Sequence, residues 1–125
     1  MKRMELRNIQ RVYLVGIGGI GMSGLARYFN HLGCIVCGYD KTPTDLTGEL
    51  RNEGIQVTFE DNSGGIPKSF RDVADNTLII YTPAIPDDSD ILNFFQKKGF
   101  VLWKRSQVLG LISKDKFTIA VGVLS

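Results

Sequence analysis

The sequence predicts an α/β fold: a Rossmann-like, doubly wound and mainly parallel sheet in a single domain. Three observations carry that expectation. Short apolar runs alternate with helical patterns along the chain, the order that builds parallel β-α-β units. The 125 residues, 43% hydrophobic and 22% charged, suffice for one core but not for two. The stretch RVYLVGIGGIGMSG, Arg11 to Gly24, joins a strand pattern to a helix pattern through closely spaced glycines.

Met1 to Asn8 is a polar lead-in, expected to be partly disordered. The first strand, about Arg11 to Val15, is rich in β-branched and aromatic residues. A helix follows from about Gly19 to Leu32. Its buried stripe is Met22, Leu25, Ala26 and Phe29, and Gly33 is a natural stop. Ile35 to Tyr39 carries the second strand, which ends at Asp40. Thr44 and Asp45 are candidate N-caps of a short helix with Leu46 and Leu50, ended by Gly54. Ile55 to Phe59 reads as a third strand and Glu60 to Gly65 as a loop. Pro67 to Val73 reads as a helical turn with Phe70 and Val73 inward.

Thr77 to Tyr81 is a buried strand running into the loop Thr82-Pro83-Ala84-Ile85-Pro86. Asp87, Asp88 and Ser89 can cap the next helix, which turns Ile91, Leu92 and Phe95 inward. Lys97 and Lys98 complement its dipole and Gly99 stops it. Phe100 to Trp103 reads as a strand. Lys104 to Ser113 reads as a last helix with Val108, Leu109, Leu111 and Ile112, and Phe117 to Val121 as a final strand.

Several function classes are disfavoured. A net charge of +2 without a Lys/Arg tract implies neither nucleic acid nor a membrane surface as partner. No apolar run has the length of a membrane span, and the polar start is not a signal peptide, so a cytoplasmic protein is expected. Cys34 and Cys37 have C-x-x-C spacing within a strand-like run, which points the two thiols to opposite faces. They read as buried thiols. The only histidine, His31, stands alone, and no metal site is expected.

Gly16, Gly18 and Gly21 fit the G-x-G-x-x-G spacing of a phosphate-binding turn. Such a turn needs residues without Cβ where the backbone approaches a phosphate. The helix after it offers unpaired N–H groups and partial positive charge. Asp40, at the next strand end, reads by itself equally as an acceptor for a ribose hydroxyl or as a turn residue before Lys41-Thr42-Pro43, and together with the glycine motif as the ribose acceptor. Thr82 reads as a donor to a phosphate oxygen or as part of a plain connection. An NAD-binding module of an oxidoreductase or nucleotide sensor fits these features, and so does a scaffold that uses the fold without a ligand.

The run Gly16-Ile17-Gly18-Gly19-Ile20-Gly21-Met22-Ser23-Gly24-Leu25-Ala26 resembles the opening of the Mur ligase family. Gly38-Tyr39-Asp40, Tyr81-Thr82-Pro83-Ala84-Ile85 and Lys104-Arg105-Ser106 to Leu109 resemble later segments of it. The likeness runs from about Gln10 to Val121. It implies the N-terminal, UDP-binding domain of an ATP-dependent amino-acid ligase of peptidoglycan biosynthesis, holding the UDP part of UDP-N-acetylmuramate. It implies that Gly18, Gly19, Ile20, Gly21 and Met22 hold the diphosphate and that Asp40 lies by the nucleoside. Thr82, Ala84 and Ile85 would flank the diphosphate, Arg105 and Asp61 would stand at the rim, and Gly16 would be structural. Gly19, Met22 and the TPAIP loop favour this ligase reading over NAD.

The family continues after its FTIAV-like strand into a G-T-H-G-K-T-type loop that binds ATP. Here Gly122 is followed by Val123-Leu124-Ser125, and no G-K-[ST] occurs. The resemblance therefore places ATP and magnesium in the family enzyme but not in this stretch. No catalytic residue is expected here, and the stretch is expected to hold substrate without turning it over.

Overall fold

The computed structural model describes residues 6–124, and their side chains as far as Lys114. After a 3-10 turn at Leu6–Asn8 come β1 (Arg11–Val15), α1 (Ile20–His31), β2 (Ile35–Tyr39), α2 (Asp45–Asn52) and β3 (Gln56–Thr58). Two 3-10 turns, Ser63–Gly65 and Lys68–Phe70, lead into β4 (Thr77–Tyr81), α3 (Asp90–Lys98), β5 (Leu102–Lys104) and α4 (Arg105–Leu124). The strands form one sheet in the order β3-β2-β1-β4-β5, and every pairing is parallel. This is the doubly wound α/β fold that the alternation of patterns predicts.

The central strand explains the layering. Along β1 the side chains alternate: Val12 and Leu14 enter one apolar layer, Tyr13 and Val15 the other. The first layer adds Met22, Leu25, Ala26 and Phe29 of α1, Leu50 of α2, and Val108 and Ile112 of α4. The second adds Phe70 and α3's Ile91 and Phe95. There the Tyr13 ring sits 5.6 Å from Phe70 and 5.0 Å from Phe95, centroid to centroid. A strand covered on both faces reads as a continuous apolar run, as RVYLV does. Cys37 lies in the second layer and half-buried Cys34 packs against the first, so the C-x-x-C thiols face opposite sides and are free.

Local signals stop the elements where they were expected. Thr44 caps α2 in a reciprocal box with Thr47, and Ser89 caps α3 through the Leu92 N–H. Gly33, Gly54 and Gly99 take positive φ just past α1, α2 and α3.

Three expectations are corrected. The run Phe117–Val121 is not a strand, because α4 continues through it to Leu124. A short apolar run fits strand and helix alike, and no neighbouring strand pairs there, so the helix satisfies the backbone from within. β5 begins at Leu102 rather than Phe100. The Phe100 N–H bonds the Phe95 carbonyl and its ring packs 5.2 Å from Phe95, so Phe100 completes the C-cap of α3. Val73 is 54% exposed because the turn ends at Phe70 and its i+3 face is not continued. Of the polar lead-in, Met1–Glu5 lie outside the described residues. Among the described residues no helix is long and apolar enough to cross a membrane.

Candidate functional site

Val15, Tyr39 and Tyr81 lie level in register at the carboxyl edge of the sheet. The loops after β1, β2 and β4 therefore leave side by side. The chain passes from β3 back across β1 to start β4, which makes the β1/β4 edge the switch point where such sheets open a crevice. A cleft of about 690 Å³ lies there.

The glycine turn forms its wall. Gly16 has φ 97°, and a Cβ on it would stand 2.6 Å from Thr82 Cγ2, so both backbone and packing demand glycine. The N–H groups of Gly16 and Ile17 both donate to the Tyr39 carbonyl, at 2.8 and 3.0 Å. The Gly18 N–H donates to Asp40 Oδ2 at 2.8 Å, and the Gly19 N–H to the Gly16 carbonyl at 3.3 Å. The N–H groups of Ile20, Gly21 and Met22 then open α1 with no partner among the described residues.

That opening sets α1 apart from its neighbours. The starts of α2 and α3 are closed by side chains. Thr44 serves α2. Ser89 serves α3 together with Asp61, whose Oδ1 accepts from the Ile91 N–H at 3.0 Å and the Ser89 hydroxyl at 2.9 Å. The N-cap of α1 is Gly19, which has no side chain to offer. Unpaired N–H groups at the positive end of a helix dipole are a ready anion site.

A second positive group stands at the same place. The guanidinium of Arg105, the first residue of α4, lies so close that a Cβ on Gly21 would collide with its Nη1 and come within 2.9 Å of its Cζ. Arg105 is exposed and has no hydrogen bond or ion pair among the described residues. A guanidinium at the positive end of a helix gains nothing from that neighbour and is well placed for an anion shared with it.

The carboxylates in the cleft are engaged with backbone. Asp40 takes the Gly18 N–H on one oxygen and the Thr42 N–H, at 3.0 Å, on the other. Asp61 holds the start of α3. Beside it, Asp90 Oδ2 accepts from the Ser63 N–H at 2.7 Å, a bond that holds the Asp90 carboxyl below its usual range. Burial raises the Tyr39 phenol, with Asp61 and Asp40 adding to the shift. In the loop after β4, Thr82 Oγ1 accepts from the Ala84 N–H at 3.4 Å and its carbonyl from the Ile85 N–H at 3.1 Å, a tight turn.

The structure brings most of the expected residues together. Gly19, Gly21, Met22, Asp40, Asp61, Thr82, Ala84, Ile85 and Arg105 line the cleft. Gly18 does not, since its N–H is turned to Asp40, and the Ile20 side chain is 90% exposed outside it. Tyr39, Lys41, Thr42 and Pro86 line it too. Their signal in the sequence is position alone, at or just past the ends of β2 and β4. Gly16, expected to be structural, combines that role with a place in the wall. Among the described residues no group of three or more His, Cys, Asp or Glu side chains is placed to hold a metal ion. Cys37, its thiol pushed up to about 11 by burial, is poorly suited to nucleophilic work.

The sequence model described as "Mur ligase family, catalytic domain" matches residues 11–117. The chain belongs to the Mur ligase family. Among curated Mur ligases, the UDP-N-acetylmuramate–L-alanine ligase of Flavobacterium johnsoniae is 49% identical over 118 residues, 94% of this chain and 26% of that protein. The enzyme of the same name from Cytophaga hutchinsonii is 51% identical over 94% of this chain and 25% of its own length. The chain thus spans about a quarter of the curated Mur ligases it matches.

A solved Mur ligase, the UDP-N-acetylmuramate–alanine ligase of Thermotoga maritima, superposes with a TM-score of 0.74 at 26% identity, covering 84% of this chain and 23% of that one. A second, the UDP-N-acetylmuramate:L-alanyl-γ-D-glutamyl-meso-diaminopimelate ligase of Neisseria meningitidis, shares the fold with a TM-score of 0.68 at 22% identity.

Proposed function

We propose that this chain is the substrate-holding domain of a UDP-N-acetylmuramate–L-alanine ligase and binds the UDP part of UDP-N-acetylmuramate in the cleft above β1 and β4. One observation carries the reading: three N–H groups at the start of α1, without a partner among the described residues, converge with the guanidinium of Arg105, which has none among them either. That combination suits the diphosphate, which carries the only charges common to every UDP-sugar. The names of the relatives supply the choice of sugar nucleotide. In this reading the nucleoside lies toward Asp40, Lys41 and Thr42, and the Thr82–Ile85 turn covers the diphosphate from β4.

The complete polypeptide is read as a cytoplasmic ligase that uses ATP to activate the muramoyl carboxylate and joins L-alanine to it. The residues here do not fit ATP or magnesium, since no G-K-[ST] and no carboxylate cluster for a metal occurs among those described. Their share of the work is binding and orientation, so no bond-making step is assigned to them.

Calorimetric titration of the chain with UDP-N-acetylmuramate and, separately, with NAD tests the assignment. Binding of the UDP-sugar and no binding of NAD is the expected result. Binding of NAD alone would replace the ligase reading with a dinucleotide module.

A further inference from the structure

We infer that Asp40 is a positioning residue that holds the glycine turn in its binding shape, and that it is not the acceptor for the ribose. The inference rests on the reading of the cleft as the UDP site and assigns a different job to the acidic residue of the glycine fingerprint. In a dinucleotide site the acid at the end of β2 accepts from the ribose, and the second glycine lets the backbone approach the phosphates. The geometry here gives both residues another partner, namely each other.

Seven consecutive N–H groups, from Gly16 to Met22, divide into two sets. The first four are used inside the protein. Gly16 and Ile17 donate to the Tyr39 carbonyl, Gly18 to the Asp40 carboxylate, and Gly19 back to Gly16. The last three have no partner among the described residues. Two adjacent residues of β2's end, one through its carbonyl and one through its side chain, thus take up the first three donors. The whole turn hangs from the end of β2.

Asp40 is itself tied at three points, its N–H and each of its carboxylate oxygens. Its own N–H donates to the Thr58 carbonyl of β3 at 3.0 Å, and Oδ1 takes the Thr42 N–H. A carboxylate held by two backbone N–H groups is a charge-assisted, geometrically fixed clamp. It joins the loop after β1 to the loop after β2, two walls of the same cleft.

Gly18 supports this assignment independently. A Cβ on Gly18 would lie 2.7 Å from Asp40 Oδ2, 2.9 Å from Asp40 Cγ and 3.1 Å from Thr47 Cγ2. The second fingerprint glycine therefore lacks a side chain to admit the carboxylate, and no ligand is needed to explain it. The clamp also accounts for an acid in an anion-binding cleft. A free carboxylate would repel a diphosphate. One that accepts two backbone bonds has its charge partly balanced, and it keeps the Gly18 N–H aimed away so that the Ile20–Met22 donors alone face the ligand.

The test has a ligand-free arm and a ligand arm. In the free chain, amide hydrogen exchange followed by NMR should show the Gly18 and Thr42 N–H groups protected, and Asp40→Asn should remove the protection of at least one. Exchange at open-loop rates for both in the unsubstituted chain overturns the clamp, whatever the ligand proves to be. In the ligand arm, UDP and 2′,3′-dideoxyuridine diphosphate are titrated into the chain and into Asp40→Asn and Gly18→Ala, with circular dichroism as the check on folding.

The clamp predicts that each substitution weakens both nucleotides by the same factor, about tenfold or more. An Asp40→Asn loss confined to UDP, with the dideoxy compound unaffected, overturns the inference and restores Asp40 to the ribose. If the unsubstituted chain binds neither nucleotide while Gly18 and Thr42 stay protected, the UDP reading fails and the clamp stands.

Discussion

At the residue scale, the four glycines near the cleft have four different reasons to be glycine. Gly16 must take φ 97° and leave room for the Thr82 methyl, Gly18 makes room for Asp40, and Gly21 makes room for Arg105. Only Gly19 has ordinary φ (−66°) and nothing of the protein nearer to its absent Cβ than 3.7 Å, the Gly16 carbonyl oxygen. A contrast follows. Gly16→Ala should lose about 2–4 kcal/mol in a urea titration, from backbone strain plus overpacking. Gly19→Ala should lose about 1 kcal/mol or less, since alanine is only a poorer cap than glycine. Yet Gly19→Ala should weaken UDP-N-acetylmuramate at least tenfold by calorimetry, because its methyl occupies the cleft. A well-bound Gly19→Ala would show that the ligand keeps clear of the turn.

At the scale of elements, the loop after β3 is fastened to the start of α3. Asp61 accepts from Ser89 and Ile91, Asp90 accepts from the Ser63 N–H, and Arg71 donates to the carbonyls of Ser63 and Ile66. This side of the cleft is therefore built before any ligand arrives. The Ser63 bond lowers the Asp90 carboxyl below its ordinary value. The unfolded chain then holds that proton more tightly than the folded one. Asp90's contribution is complete above the unfolded carboxylate value, about 4, and disappears as the pH falls through the lower folded value. The Ser63 amide should be protected from exchange, relative to its intrinsic rate, at pH 7 and should lose that protection as the pH falls below the unfolded carboxylate value. Asp90→Asn should flatten that pH dependence, and an unchanged pH dependence in this variant would assign the effect to other groups.

At the scale of the whole molecule, one sheet is shared by two apolar layers, so neither can be lost alone. Neighbouring β4 residues report on the two layers: Ile80 packs in the first, Ile79 in the second, and both are fully buried. Ile80→Val and Ile79→Val should each lower stability by about 0.5–1.5 kcal/mol. Both should shift the same urea transition, whether it is followed by far-UV circular dichroism or by Trp103, the single tryptophan, which packs on the first layer. Two separate transitions would mean that the layers unfold independently.

Most of the expected cleft residues came from the family resemblance, while the sequence by itself determined the strand-and-helix alternation, the helix stops at Gly33, Gly54 and Gly99, and the glycine turn. These are local quantities: a two-residue or 3.6-residue period, a positive φ, a cap within three residues of a helix start. Tertiary structure decided what depends on partners far along the chain. Phe117–Val121 went to helix because no strand lies beside it, and Val73 went to solvent because its turn stopped short. Asp40 met Gly18 across 22 residues, and Arg105 came to rest beside Gly21. A single sequence records which donors and carboxylates a chain owns. Which donors remain unpaired, and so free to bind a ligand, depends on the geometry that packing imposes, and in this chain that geometry left open the three N–H groups that begin α1.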